Sequence, residues 1–271
     1  MPAPRSLLAL VIVSSLVARS ALAQEPPATP RLADGMVDLN GVWGAAALPP
    51  PIKPTDSIKF LFPVPGVNPE SKDVFHGFDN RQVEGRAAAP NKPEYKPEHL
   101  ERVKYLSDRQ GLLDPAFHCR PQGVPRMGPP SQIVQTPGQV VFLYGASNLF
   151  RVMPTDGRPH RADADPSYLG DSVGRFEGNT LVVDVTNFVE DTWLGSDGYF
   201  HSENMHVVER FTRNGDTLTY TATIEDPAVL ARPWVITPRD LKLSKNPADA
   251  LLEAPPCVEQ DASHIVTLDH H

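Results

Sequence analysis

Residues 155–211 read TDGRPHRADADPSYLGDSVGRFEGNTLVVDVTNFVEDTWLGSDGYFHSENMHVVERF. Short apolar runs alternate in this stretch with turn signals. Two of the runs, residues 173–177 and 180–185, flank Gly178-Asn179, a dipeptide typical of two-residue hairpin turns. The stretch therefore predicts an antiparallel β-hairpin.

The turn also predicts the register of that hairpin and the two faces of its strands. Counting back from it pairs Phe176 with Leu181 and Gly174 with Val183. One face then carries Phe176, Leu181, Val183 and Val185, and the other carries Asp171, Arg175, Glu177 and Asp184. The charged face is either a polar barrel interior or a solvated outer surface.

Strand patterns also occur outside this stretch. They cover residues 37–43, 132–135, 139–144, 148–153, 206–213, 217–225 and 233–243. Consecutive hairpins with no helix between them indicate a meander, and closure into a barrel would remove exposed strand edges. We therefore expect a mainly β protein, an antiparallel meander of about eight strands closing into a barrel. One short helix at residues 97–110 and long Pro-rich loops complete this prediction.

The amino terminus has the pattern of a signal peptide. Arg5 precedes an apolar run, Leu7 to Val17, and Ala21-Leu22-Ala23 fits a cleavage site, so residues 1–23 are predicted to be removed. Residues 24–36 are expected to be a flexible lead-in. Residues 37–271 would then form a single barrel domain with a Pro-rich insertion at 45–97. The predicted location is the periplasm or the exterior of the cell.

Charge restricts the partners of the chain. The formal net charge is −8, and losing Arg5 and Arg19 with the signal peptide makes the mature chain more negative by two. Such a balance disfavours nucleic acid as a partner. No later segment has the length of an apolar membrane span, so we expect a small-molecule ligand or substrate and no membrane span.

The chain has two cysteines, Cys119 and Cys257. In an exported protein, an even count of this kind predicts one disulfide bond. A pair of buried free thiols is the alternative.

Five motifs support a resemblance to a known group of proteins. They are DLNGVW (38–43), TDGRPHRADADP (155–166), GDSVGRFEGNTLVVD (170–184), HSENMHVVERF (201–211) and TIEDPAVLARPW (223–234). With these motifs the chain resembles a large group of exported bacterial proteins with lipocalin-like β-barrels and no agreed activity. The resemblance implies the barrel. It leaves the function open, because related barrels include both ligand carriers and hydratases.

Titratable side chains are concentrated between residues 160 and 206. His201, His206, Asp171 and Glu203 are the candidate catalytic residues, with a histidine paired to Asp171 or Glu203. Such pairs transfer protons, so we expect an enzyme acting on a small organic molecule by acid–base chemistry, as a lyase, hydratase or hydrolase. His201 and His206 can share one site only if His201 lies on the loop before the strand.

A metal site is a further possibility at the same residues. His160, His201 and His206 could bind a divalent transition metal such as zinc, although no HExxH spacing is present. Without it, no cofactor is expected. Motifs for phosphate, dinucleotide or a serine nucleophile are also absent from the sequence.

The competing hypothesis is a periplasmic carrier or binding protein without turnover. Its ligand-binding residues would be Trp43, Tyr144, Phe150, Tyr168, Arg175, Trp193 and Tyr220. For Trp43 the simplest interpretation is a core residue, and ligand stacking is the alternative. The direction in which the histidines and carboxylates point separates the two hypotheses: convergence inside a cavity favours catalysis, and exposure to solvent around an aromatic lumen favours carriage.

Overall fold

The structure is a computed structural model that describes residues 28–45, 91–145, 148–246, 249, 251 and 253. The predicted signal peptide at 1–23, most of the Pro-rich insertion and Cys257 lie outside the described residues.

Ten strands form one antiparallel sheet in the described chain. They are β1 (Gly41–Ala45), β2 (Gln132–Thr136), β3 (Gln139–Tyr144), β4 (Leu149–Pro154), β5 (Asp171–Glu177), β6 (Thr180–Thr186), β7 (His206–Asn214), β8 (Thr217–Glu225), β9 (Trp234–Val235) and β10 (Arg239–Leu243). Their order is β4-β3-β2-β1-β10-β8-β7-β6-β5, with β9 also pairing with β8. The sheet curves into a nearly closed barrel, which confirms the predicted fold class.

The predicted hairpin is formed in the predicted register. Phe176 pairs with Leu181 and Gly174 with Val183 across β5 and β6. Gly178 has a φ of 63°, a left-handed conformation that glycine adopts without steric cost. Local turn chemistry therefore determines this part of the sheet.

The first and the last predicted strands differ in extent from the strands in the structure. The first strand begins at Gly41, and the polypeptide before it forms a turn in which Leu32 N–H donates to the Met36 carbonyl. The predicted last strand is divided into β9 and β10, both of which pair with β8. Pro238 lies in the interruption and has no N–H to donate to a ladder.

The predicted helix is present and shorter than expected. A 3-10 turn at Pro97–His99 leads into α1 (Leu100–Asp108). The helical region nevertheless continues past the predicted end at residue 110, because Gly111 lies within the following short helix α2 (Gln110–Leu113). In the described part of the chain, no helix has the length and hydrophobicity needed to cross a membrane.

The inner face of the barrel is packed with side chains. Phe142 and Phe211 lie 4.7 Å apart between ring centroids, and Phe211 and Tyr220 lie 5.0 Å apart. Trp43 is buried and its indole N–H donates to the Leu39 carbonyl, so it is a core residue. Aromatic rings therefore fill the interior between the two sides of the sheet.

The barrel has a seam between β4 and β5, the two ends of the strand order. Arg151 on β4 reaches across it and donates from Nη2 to Ser172 Oγ on β5 at 2.8 Å. Gly174 allows close approach there, because a Cβ atom at its position would lie 2.9 Å from Thr155 Cγ2. The seam is thus closed by side chains and close packing.

Candidate functional site

A groove runs along the outside of this seam. Its larger part has a volume of about 340 Å³ and its smaller part about 260 Å³, and Val152, Arg161, Asp171 and Ser172 line both parts. We call these two connected parts the seam groove. Its volume is in the range of pockets that hold small molecules.

One wall of the seam groove is apolar and exposed. Phe150 and Val152 project from the outer face of β4 with 63% and 51% of their surfaces exposed. Leu169 and Tyr168, from the loop that precedes β5, face them across the groove. The outer positions of β8, by contrast, are four threonines and Glu225, so this wall is more apolar than that side of the barrel.

Arg151 forms the floor of the groove and the centre of a buried polar network. Its Nη1 donates to Glu209 Oε2 at 2.6 Å and to the Tyr144 hydroxyl at 3.2 Å. Tyr220 donates its hydroxyl to Glu209 Oε1 at 3.1 Å, and Ser172 accepts from Nη2 as described above. The network ties the floor of the groove to the opposite side of the barrel interior.

Burial controls the protonation of this network. It raises the pKa of the Tyr144 hydroxyl to about 12, and it raises the pKa of Tyr220 well above its ordinary value, with Glu209 adding to the effect. Burial disfavours the charged form of Arg151, but the adjacent Glu209 carboxylate outweighs it and raises the pKa of the guanidinium. Arg151 therefore remains cationic, and both tyrosines keep their hydroxyl protons at neutral pH.

Asp171 connects the groove to a row of titratable side chains on the outer face of the sheet. His160 donates from Nδ1 to Asp171 Oδ2 and from Nε2 to Asp184 Oδ1, both at 2.9 Å. His206 donates from Nε2 to Asp184 Oδ2 at 3.0 Å, and its Nδ1 lies 3.6 Å from Glu225 Oε2. We call this row, Asp171–His160–Asp184–His206–Glu225, the His–Asp chain.

The His–Asp chain stabilises the charged form of His160. Partial burial would lower the pKa of this imidazole, but hydrogen bonds to Asp184 and Asp171 outweigh burial and raise it. Burial would raise the pKa of Asp171, which is nevertheless lowered by hydrogen bonds from Arg161 and His160. Burial would also raise the pKa of Asp184, but hydrogen bonds from His160 and His206 outweigh burial and lower it. Because an ionised carboxylate only accepts, His160 carries protons on both ring nitrogens when it makes both bonds.

His201 lies elsewhere, in the core. Its Nδ1 donates to the Ser202 carbonyl at 2.8 Å, so its Nε2 accepts from the Thr192 hydroxyl at 2.6 Å. Burial lowers the pKa of this imidazole. His201 does precede β7, as sharing a site with His206 requires, but both ring nitrogens already have partners in the protein. It is a neutral side chain that fixes the loop before β7.

The other candidate residues are divided between core, groove and surface. Glu203 is exposed, and its backbone N–H donates to Glu190. Phe150 and Tyr168 line the seam groove, whereas Arg175 lies on the outer face and pairs with Glu177. Four further candidates belong to the packed core: Trp43, Tyr144, Trp193 and Tyr220. The structure therefore joins Asp171 to His160, and joins His206 to Asp184.

The predicted histidine site for a metal is not assembled in the described chain. His160 and His206 both donate hydrogen bonds to Asp184. The two ring nitrogens of His201 are hydrogen-bonded to Thr192 and Ser202. Among the residues that the structure describes, no three His, Cys, Asp or Glu side chains are grouped to hold a metal ion.

Several residues of the seam groove and of the buried network beneath it were missed by the sequence patterns. Arg151 and Glu209 are charged residues on the inward-facing side of otherwise apolar strands, and that position was the available signal. Arg161 and Leu169 lie on a loop, where periodicity gives no information about direction.

No protein-family model, curated protein or solved structure matches this chain. The barrel is established by the structure, and the predicted kinship with exported lipocalin-like proteins stays a prediction. Function is therefore inferred from the geometry of the site.

Proposed function

We propose that this protein binds a small, largely apolar molecule in the seam groove. The observation that carries the proposal is the pair Phe150 and Val152, two exposed apolar side chains on the wall of a groove of suitable volume. A ligand covering them would remove apolar surface from water, which stabilises the complex by about 25 cal/mol per Å² buried.

Packed side chains fill the barrel interior, which supports a ligand-binding site on the outside of the barrel. The carrier hypothesis from the sequence placed Tyr144 and Tyr220 around a ligand in the lumen. In the structure these side chains pack against Phe142 and Phe211 and serve the Arg151 network. The His–Asp chain faces outward, which also favours binding over chemistry in an enclosed cavity.

The proposal is tested with N-phenylnaphthylamine, an uncharged apolar probe that fluoresces when it leaves water. Val152→Ser should weaken probe binding, because it removes part of the apolar wall. Val235→Ser is the matched control, since Val235 is 53% exposed on β9 and does not line the groove. If the two variants bind the probe equally well, the groove is not the binding site.

Export completes the proposal. We infer from the sequence that residues 1–23 direct the chain to the periplasm or the exterior, where a carrier would bind its ligand in solution. Amino-terminal sequencing of protein from the native host, or of an export-competent expression strain, tests this. A mature chain beginning at Met1 would contradict it.

An acid–base enzyme is the second candidate function. It is favoured by Asp171, which lines the groove and is joined through His160 to Asp184 and His206. Such a row of carboxylates and imidazoles could deliver a proton to a bound molecule or remove one from it. The reaction would be that of a lyase, hydratase or hydrolase, and it requires no cofactor.

Turnover assays separate the two candidates. Asp171→Asn and His206→Ala would be assayed over a panel of small organic substrates beside the unaltered protein and Arg210→Gln, a control on the outer face of β7. Turnover that falls in the first two variants and persists in the control supports the enzyme. Turnover that is the same in all four proteins excludes these roles.

A further inference from the structure

If the seam groove binds a ligand, the charged side chains around the groove indicate the chemical class of that ligand. The charged residues lining its larger part are two arginines, Arg151 and Arg161, and one aspartate, Asp171. The apolar wall of Phe150 and Val152 lies within the same groove. Apolar and cationic surfaces are thus presented to one bound molecule.

Arg161 is positioned to bind an anion. Its Nε donates to Asp171 Oδ1 at 2.7 Å, and its backbone N–H donates to Asp171 Oδ2 at 3.2 Å. The bond from Nε holds the guanidinium by one edge, and the bond from the backbone N–H fixes the main chain beside Asp171. Within the described chain its two terminal nitrogens have no acceptor, and the side chain is 69% exposed. Two parallel N–H groups of this kind match the two oxygens of a carboxylate or sulfonate.

Asp171 does not offer a competing site for a cation. Its two oxygens already accept from Arg161 and from His160 Nδ1. A bound cation would have to displace these donors and would lie beside the Arg161 guanidinium. A ligand anion at the outer edge of Arg161 meets no such competition.

Arg151 adds positive charge at the floor of the groove. It is only 4% exposed, and its Nε has no hydrogen-bond acceptor among the described residues. Glu209 neutralises much of this charge from the interior side. The charged side chains that line the larger part of the groove are nevertheless two cations and one anion.

We propose that the ligand of the seam groove is a small apolar molecule bearing one acidic group, with its apolar body on Phe150 and Val152 and its anion on the terminal nitrogens of Arg161. This inference rests on the proposed binding function and specifies the chemical class of the ligand. Arg161 and the apolar wall then have different roles. Arg161 selects the ligand by its charge, and the apolar wall provides affinity for any apolar body of suitable size.

Two matched probes test the inference. Anilinonaphthalene sulfonate and N-phenylnaphthylamine share one apolar body, and only the first carries an anion. The unaltered protein should bind the sulfonate more tightly. Arg161→Gln should weaken sulfonate binding about tenfold, the equivalent of one charge-assisted hydrogen bond, and leave the neutral probe within about twofold. Arg161→Lys should restore part of the loss.

Arg210→Gln is the control, because Arg210 is an exposed arginine of the same barrel that pairs with Glu177 away from the groove. Equal effects of Arg161→Gln on both probes, or on neither, would overturn the acidic-ligand inference and leave the groove in place. Failure of Val152→Ser to weaken either probe would overturn the binding function itself. Unchanged melting temperatures of the variants show that folding is not the cause.

Discussion

Arg151 on β4 and Glu209 on β7 form an ion pair of 2.6 Å inside the barrel, with almost no solvent exposure on either side chain. The desolvation cost of such a pair is large, and its net contribution is favourable only when neighbouring groups complete the hydrogen bonds. Tyr144, Tyr220 and Ser172 provide most of those bonds here, and Arg151 Nε is left without an acceptor among the described residues.

Removing one partner of this pair should be strongly destabilising. Arg151→Met leaves a buried, uncompensated carboxylate, and we expect a loss of about 3–5 kcal/mol in the free energy of unfolding. The double variant Arg151→Met/Glu209→Gln should recover part of that loss, because no charge remains buried. Chemical denaturation measures both. A single variant within about 1 kcal/mol of the unaltered protein would contradict the assigned network.

The bond between Thr192 and His201 should be structural rather than catalytic. Thr192→Val removes the hydroxyl that donates to His201 Nε2, and we expect a loss of about 1–3 kcal/mol in the free energy of unfolding. NMR of the imidazole nitrogens should show His201 neutral, with the proton on Nδ1, at pH 7. A proton on Nε2 instead would contradict the assigned partners.

The His–Asp chain should be most stabilising in mildly acidic solution. The pKa of His160 is raised above 6.5, so its contribution is complete below 6.5 and is lost as the pH rises through the higher folded value. The pKa values of Asp171 and Asp184 are lowered from 3.8, so their contributions are complete above 3.8 and are lost as the pH falls through the lower folded values. The chain is therefore intact between these limits and weakens as the solution becomes alkaline.

Unfolding measurements on the unaltered protein and on His160→Gln test this window. The stability difference between the two should be largest between about pH 4 and pH 6.5 and should shrink on the alkaline side. Direct NMR titration of the His160 imidazole gives the same information, with His118→Gln helping to assign the remaining histidine signals. A difference that grows as the pH rises would contradict the bonding described.

Close packing at the seam gives a further prediction. Gly174→Ala places a methyl group 2.9 Å from Thr155 Cγ2, and we expect a loss of about 1–3 kcal/mol in the free energy of unfolding. Thr155→Ser deletes that contacting atom, so the double variant should regain part of the loss, while the contact with Leu181 Cδ1 at 3.3 Å remains. Gly195→Ala is the control, because its added methyl group would lie 3.6 Å from the nearest atom, on Tyr199. Additive losses in the double variant would show that this contact does not limit packing at the seam.

The bond predicted between Cys119 and Cys257 stays a prediction. If it is present, denatured and unreduced protein should contain no free thiol. Reduction should then lower the melting temperature by several degrees, since closing so long a loop is worth up to roughly 4–5 kcal/mol. Two titratable thiols in freshly exported protein would exclude the bond.

Interactions within a hairpin could be predicted from the sequence, because they depend on neighbouring residues. Gly178-Asn179 determines the turn, and the turn determines the register of β5 and β6. The seam depends instead on the closure of the whole sheet, which brings β4 beside β5 without a ladder. No local pattern contains that information, and the groove along the seam was therefore not predicted.

The candidate site also combines features that local sequence patterns predict with features that depend on the tertiary fold. Alternation in β5 and β6 correctly separated Asp171 and Asp184 from the apolar face. It left open whether their face points into the barrel or into solvent. Their partner His160 lies on a loop, where sequence position does not indicate which strand a side chain reaches. His201 and Glu203 are close to His206 in sequence, yet the loop before β7 directs one into the core and the other into solvent.

The position of β10 in the sheet has a consequence for biosynthesis. Strands β1 to β4 form one meander and β5 to β8 another, and β10 joins them by pairing with β1 on one side and β8 on the other. The strand in the middle of the sheet is therefore the last of the ten to be synthesised. Until residue 243 has emerged, a nascent chain holds two half-barrels with free edges at β1 and β8, the kind of edge that invites aggregation and chaperone capture. Messages truncated before codon 239 should accordingly yield insoluble or rapidly degraded product.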